Sequence, residues 1–492
     1  MNRPLRKVAV ACLLLFGMLL LQTNWVQVVK AKDYRNDPRN RRVLLRTYDR
    51  ERGPIVIGTG KNRQAVAKSV PTTDTLKYLR TYPGGAVYAP VTGFISVVYG
   101  LTGIEKQENP VLSGEDDRLF VRRLSDYITG RKIAGGSVAL TLNRAAQQAA
   151  YDGLAGKVGA VVALDPRTGA VLAEVSTPSY DPTGLSSHDP GQITATWQQL
   201  LADPGRPLTN RTVEERYAPG STFKIITAAA ALSKGIVVPT TVIDAPGSAS
   251  FGPGQPIRNF AGELCGNGGR QTLIEALATS CNTAFALLGV RTGQQAIDAQ
   301  ARAFGFGRTD LALPQQVAAS VFSPAASGPL PKVFLAQSAI GQKDVQATPL
   351  QMAMVAAGIA NGGDVMKPYL VQEVQGPDFS RLSLAQPSLY SKAVSSTVAG
   401  QLTTMMESVV QPGGTGVNAA IPGVRVAGKT GTAQSVPGAP PDLWFIGFAP
   451  ANDPKVAVAV YLRGDRAYGS GATGGQLAAP IARAVMKAVL GK

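Results

Sequence analysis

Hydrophobic positions gather at the amino end of the chain before any alternation begins. Val8–Leu21 carries no charge, and the apolar character continues through Gln22, Thr23, Asn24, Trp25 and Val26 to Val29. As a helix, these 22 residues reach across a hydrocarbon core of about 30 Å. Arg3, Arg6 and Lys7 stand before the run. That asymmetry predicts a cytoplasmic tail at 1–7, a transmembrane anchor at 8–29 and an extracytoplasmic remainder, with Trp25 near the far interface. No small-x-small pattern follows, so the segment is expected to stay as a single-pass anchor.

Beyond the anchor the period changes. Residues 30–52 hold nine Lys/Arg against Asp33, Asp37, Asp49 and Glu51, a composition suited to anionic headgroups. From Ile55 to about Gly136, short apolar runs alternate with turn signals such as Pro83-Gly84-Gly85 and Thr92-Gly93, which predicts a modest β-rich or mixed domain. Ser137–Asn143 alternates as a strand and Arg144–Leu154 reads as a helix. Val158–Leu164 and Ala170–Ser176 read as strands joined by a hairpin in which Gly169 supplies the positive φ. Helical spacing dominates Phe223–Ser233, Leu273–Leu288, Gln294–Phe304 and Leu350–Asn361. Trp444–Ala449 and Val456–Leu462 return to strand, and Ala478–Leu490 closes the chain as a helix. The Gly- and Pro-rich stretches 246–256 and 435–441 read as loops. Strands, then helices, then strands predict an α+β domain whose sheet gathers strands from both ends around a helical insertion. The expected division is a non-catalytic N-terminal domain at 30–145 and a larger domain at 146–492.

Composition narrows the chemistry. The 492 residues include three cysteines and one histidine, so no zinc site of Cys and His can be assembled. His188 lies in the polar stretch Ser186–Pro190 and reads as a loop residue; a Ser-His or Cys-His mechanism must use it or fail. Cys12 falls in the anchor. Cys265 and Cys281 are then an even pair in an oxidising compartment, either bonded to each other or two buried thiols. The net charge of +17 comes with no aromatic-basic interleaving and no nucleic-acid motif. It suits an anionic membrane surface or wall polymer instead.

Three motifs carry candidate chemistry. Pro219-Gly220-Ser221-Thr222-Phe223-Lys224 opens an apolar helix, placing Ser221 in a first turn where its N–H is unpaired and the dipole is positive. Lys224, three residues on, shares its face, with the amine expected within reach of the hydroxyl. A serine becomes nucleophilic when a base takes its proton, and a lysine is such a base only when burial or a second cation keeps it neutral. The second motif is Ser280-Cys281-Asn282. The third, Lys429-Thr430-Gly431-Thr432, has β-branched residues around a glycine, which suggests a strand where a missing side chain lets a substrate backbone lie alongside.

Each motif alone reads more readily as structure. Together, in this order, with 59 residues from Ser221 to Ser280 and 147 from Asn282 to Lys429, they resemble the signature of penicillin-binding proteins and serine β-lactamases. The resemblance extends to Gly159–Pro182, Asn210-Arg211, Thr348-Pro349-Leu350-Gln351, Asn361-Gly362-Gly363 and Trp444–Pro450. Nearer the anchor, Arg39-Asn40-Arg41, Arg52-Gly53-Pro54-Ile55 and Gly103-Ile104-Glu105-Lys106 resemble the non-catalytic region of class B members, and the small actinobacterial ones most. The family implies an antiparallel sheet flanked by helices, with an all-helical subdomain. It implies Ser221 as acylated nucleophile, Lys224 as general base under the field of Lys429, and Ser280 as proton relay. By the same resemblance Asn282 holds the donor peptide, Lys429, Thr430 and Thr432 bind a carboxylate, and the N–H groups of Ser221 and Thr432 form an oxyanion hole. Cys281 departs from the usual middle residue of its motif; bonded to Cys265, it would stiffen the rim of the site.

The implied activity is a peptidoglycan D,D-transpeptidase: acylation of Ser221 by a D-alanyl-D-alanine stem, release of D-alanine, and transfer to a neighbouring amine. A carboxypeptidase of the same chemistry is the alternative. A lactam sensor would want a cytoplasmic domain, and seven residues precede the apolar run. Between Asn282 and Lys429 the acidic residues are Asp298, Asp310, Asp344, Asp364, Glu373, Asp378 and Glu407. None begins the Glu-x-x-Leu-Asn pattern with which one β-lactamase class activates water, so β-lactams are expected to trap the enzyme. No cofactor or metal is implied. The expected partners are stem peptides on lipid-linked glycan strands, β-lactam antibiotics and a membrane-embedded glycan polymerase, because residues 40–145 are too few for a polymerising domain.

Overall fold

Val456–Leu462 is buried at every position, the mark of a strand covered on both faces. The computed structural model describes residues 3–35, 48–58, 62–74, 76–130, 134–259, 262–322, 328–378, 380–433, 439–469 and 471–492. The Arg39-Asn40-Arg41 match, much of the basic stretch at 30–52 and most of the expected loop at 435–441 lie outside these residues.

Helix α1 (Arg3–Asn24) continues helically to Val29, its side chains largely exposed, and this span is long and apolar enough to cross a membrane. Strands β1 (Ile55–Ile57), β2 (Gln64–Pro71) and β3 (Tyr78–Thr81) follow, then helix α2 (Phe120–Thr129), strand β4 (Ser137–Leu140) and helix α3 (Arg144–Gly153). Next come β5 (Gly159–Leu164), β6 (Val171–Thr177), α4 (Lys224–Ser233), α5 (Leu273–Ala278), α6 (Asn282–Thr292) and α7 (Pro349–Ala360). Strands β7 (Val371–Gln375) and β8 (Arg381–Leu384) precede α8 (Ser396–Val410). The chain ends with β9 (Ala427–Ala433), β10 (Asp442–Ala449), β11 (Val456–Leu462) and α9 (Gly474–Leu490).

One five-stranded sheet is antiparallel throughout, in the order β9-β10-β11-β5-β6. Its strands come from both ends of the domain, as the pattern predicts, with the hairpin turning through Gly169 at φ +82°. Side chains alternate between two cores. Val161, Ala163, Phe445 and Val458 pack with α3 and α9, while Val162, Trp444, Ile446 and Ala459 pack with α7 and the helical region. Strand β9 is an edge, and the site forms along it.

The second sheet runs β8-β7-β4-β1-β2-β3, and two of its strands cross the expected division near residue 145. Strand β4 lies parallel to β1, and β7 covers its other side. Without β7 and β8, β4 would present an open edge; no local pattern announces this long-range pairing. A second departure bears on function. The apolar run expected as one helix at Leu273–Leu288 is two, α5 and α6, with Ser280 between them at φ +60°.

Candidate active site

The turn holding Ser221 is built by its neighbours. Gly220–Phe223 makes one tight helical turn before α4. Gly220 adopts φ +52°, and its N–H donates to Gly341 O at 2.9 Å. Thr222 Oγ1 donates to Pro219 O at 2.7 Å, and Trp444 Nε1 on β10 donates to Ala218 O at 3.0 Å. A Cβ at Gly431 would stand 2.9 Å from Pro219 O and Trp444 Cβ and 3.0 Å from Thr222 Cγ2. The expectation that this glycine makes room for a substrate backbone is therefore corrected: it lets β9 press against the turn of Ser221.

Ser280 is held in the break between α5 and α6. Its N–H donates to Leu277 O at 3.2 Å, and the N–H of Cys281 donates to Ala276 O at 2.9 Å, ending α5. A left-handed serine is a strained residue that its surroundings must hold in place. Part of the hold is a disulfide between Cys265 and Cys281. Asn259 adds to it: its Oδ1 accepts from the N–H of Thr283 at 3.0 Å, and its Nδ2 donates to Pro246 O and Glu263 O, each at 2.9 Å. The loop expected at 246–256 is thus the start of a longer strap tied to α6. Nothing in the local sequence around Arg258 and Asn259 signals this.

The two lysines meet at Ser280. Lys224 Nζ donates to Ser280 O at 2.7 Å and to Asn282 Oδ1 at 2.8 Å, and lies 3.3 Å from Ser280 Oγ. Lys429 Nζ donates to Ser280 Oγ at 2.8 Å and to Thr430 O at 3.0 Å. Both lysines are 0% exposed, and neither has a carboxylate partner among the described residues. Burial lowers the Lys224 pKa far below an ordinary lysine, and the adjacent Lys429 lowers it further. Burial brings Lys429 down to about 7. A neutral amine has two N–H groups and one lone pair; the two carbonyl oxygens engage the hydrogens of Lys224 and leave its lone pair for a hydroxyl.

The hydrogen bonds of Lys224 in this unliganded site go to Ser280 and Asn282. Ser221 is partly exposed to the cleft and makes no side-chain hydrogen bond among the described residues. Such bonds are often long in unliganded sites and tighten around substrate. Asn282 Nδ2 donates to Arg258 O at 3.0 Å, leaving its second hydrogen for a ligand. Thr432 is exposed on the edge strand, whereas Thr430 is buried, with Thr415 Oγ1 at 2.7 Å. His188 plays no part. Its Nδ1 meets Asp74 Oδ2 at 2.6 Å and its Nε2 meets Tyr78 O at 3.1 Å, both toward the N-terminal sheet.

Residues 159–487 match the penicillin-binding protein transpeptidase domain, and residues 52–138 match the penicillin-binding protein A dimerisation domain. The peptidoglycan D,D-transpeptidase PbpA of Mycolicibacterium smegmatis is 47% identical over 503 residues, covering 100% of this chain and 99% of that protein. The protein of the same name from Mycobacterium tuberculosis is also 47% identical, over 502 residues with the same coverage. The ceftriaxone acyl-enzyme structure of M. tuberculosis penicillin-binding protein A superposes with a TM-score of 0.85 at 45% identity, over 91% of this chain and 100% of that one. Its penicillin G acyl-enzyme gives 0.83 at 45% identity, over 90% and 100%. With the three motifs converging on one cleft beside an edge strand, the chain belongs to the penicillin-binding protein transpeptidase family.

Proposed function

We propose that this protein cross-links peptidoglycan stem peptides through an acyl-enzyme on Ser221 and is covalently inhibited by β-lactams. Lys429, in its charged form, and the hydroxyls of Thr430 and Thr432 hold the terminal carboxylate of a D-alanyl-D-alanine stem. Asn282 holds the donor peptide. The Ser221 oxygen attacks the penultimate carbonyl while its proton passes to the lone pair of Lys224. The N–H groups of Ser221 and Thr432 take the oxyanion, an interaction strongest where charge develops. Collapse breaks the peptide bond: the proton held on Lys224 travels through the Ser280 hydroxyl to the leaving amine, and D-alanine departs. An amine from a neighbouring stem then attacks the ester, gives its proton to Lys224, and regenerates Ser221 as the new amide forms.

The observation that carries this reading is the Ser280 hydroxyl, 2.8 Å from one buried amine and 3.3 Å from the other. Two lysines without a counter-ion cannot both stay charged in a dry cleft. The arrangement supports a neutral base beside a cationic anchor. The Cys265–Cys281 disulfide stiffens the rim on the Ser280 side.

The helix at Arg3–Val29 anchors the chain, with residues 1–7 in the cytoplasm and the catalytic domain at 146–492 outside. The non-catalytic domain at 30–145 and the anchor are the surfaces for a membrane-embedded glycan polymerase, which supplies the strands. The testing experiment presents lipid-linked glycan strands and a partner polymerase to the full-length protein and resolves the muropeptides. Dimers joined through a new amide are expected; stems trimmed by one residue without dimers would assign the same acyl-enzyme to a carboxypeptidase.

A further inference from the structure

Thr415 lies outside the three motifs, in the turn after α8, and yet it touches two of the elements that carry them. Its backbone N–H donates to Ala278 O at 3.1 Å, at the end of α5 and two residues before Ser280. Its hydroxyl lies 2.7 Å from Thr430 Oγ1. Its carbonyl is seated against the start of α9, where a Cβ on Gly475 would come within 2.1 Å of Thr415 O. Because Lys429 Nζ donates to Ser280 Oγ at 2.8 Å, the contacts close into a ring. It runs from Thr415 to Ala278, along the chain to Ser280, across to Lys429, and through Thr430 back to Thr415.

Proton counting then gives the hydroxyl pair a direction. A threonine hydroxyl has one hydrogen to donate, and a carboxylate only accepts. When Thr430 donates to a bound carboxylate it has nothing left for Thr415, so Thr415 must be the donor between them. A hydrogen bond received by Thr430 Oγ1 also polarises the one it gives. We propose that Thr415 is a positioning residue for carboxylate recognition: its hydroxyl donates to Thr430 and turns the Thr430 proton toward the substrate. The inference rests on the proposed role of Thr430 in binding that carboxylate.

The test uses the full-length protein in detergent and two forms of one β-lactam, the free acid and its methyl ester. Binding and acylation constants are measured separately for wild type, Thr415→Val and Thr415→Ser. Valine keeps the shape and the backbone donor but removes the hydroxyl. The expected result is that Thr415→Val weakens binding of the acid about tenfold, the upper end for a lost hydrogen bond between neutral groups, because the bond it polarises weakens with it, and leaves the ester unchanged. Thr415→Ser restores the acid. The acid-to-ester ratio does not depend on the folded fraction, so partial misfolding of the valine variant cannot mimic the effect. Equal losses on acid and ester, no loss on either, or failure of serine to restore the acid would each overturn the proposal. If wild type is not acylated at Ser221, the reading of the whole site fails instead, and the two failures are told apart within one data set.

Discussion

Two buried clusters in this molecule are rich in cations, and they are built on opposite terms. In the N-terminal region Arg52 Nε donates to Glu105 Oε2 at 2.6 Å and Arg80 Nε to Glu105 Oε1 at 2.7 Å, all three side chains at most 3% exposed. Burial alone would raise the Glu105 carboxyl, but Arg80 and Arg52 outweigh it and hold the group below the usual range. Tyr82 and the carbonyls of Arg52, Gly53 and Glu105 engage further atoms of the cluster. Each guanidinium meets one oxygen of the shared carboxylate, and the cluster joins β3 to the segments before β1 and after Gly103. At the cleft, Lys224 and Lys429 face the same hydroxyl with no acid beside them among the described residues. Burial of a charge that meets an opposite charge fixes a structure, whereas burial of a lysine without one strips a proton to make a base. The difference separates scaffold from chemistry more clearly than burial does.

The largest way to break the contrast is at Lys224. Lys224→Arg puts a permanent cation, which cannot accept a proton, in place of a neutral base, so acylation by penicillin should fall by about 10³-fold, the scale of general-base catalysis; stopped-flow acylation checks it. Glu105→Gln attacks the other cluster. It leaves two arginines buried with one neutral partner, at a cost of about 3–5 kcal/mol. Calorimetry should show a large drop in melting temperature, while the folded fraction acylates at the wild-type rate. Replacing Cys265 and Cys281 by serine removes a bridge that spans 16 residues. Chain entropy puts that loss at about 3 kcal/mol, read as a lower unfolding midpoint and faster proteolysis at 246–269.

The smallest effect is a pH dependence in which the two lysines act with opposite sign. Lys429 is charged below about 7 and loses its proton above, so binding of a carboxylate-bearing lactam should weaken as pH rises through that value. Lys224 acts in the opposite sense, since it must be neutral to serve. Arginine stays charged across this range, so Lys429→Arg should lower the overall rate yet remove the alkaline fall, visible in a pH profile of acylation efficiency.

Much of this was legible in the sequence because the relevant signals are local. The anchor, the paired strands at 159–177 and 442–462, and the three motifs each sit within a few residues of one another. What stayed hidden depends on distant partners. The apolar spacing of Leu273–Leu288 resumes on the far side of the polar run Thr279–Thr283, and the contacts that hold Ser280 in that break come from Cys265 and Asn259 on a separate strap. Strands β7 and β8 pair with a sheet begun more than 200 residues earlier. Arg52 and Glu105 stood out only by resemblance; Arg80, which completes their cluster, carried no signal at all. Thr415 and Gly341 are likewise ordinary in sequence and specific in space.

Mapped covalent labelling asks whether a neutral Lys224 activates Ser221. Wild type, Ser221→Ala and Lys224→Arg are incubated with penicillin G and read by intact mass and peptide mapping. Such activation gives one drug mass on the peptide bearing Ser221 in wild type, none in Ser221→Ala, and only slow accumulation in Lys224→Arg. Label on another residue, or labelling of Lys224→Arg at the wild-type rate, would contradict it.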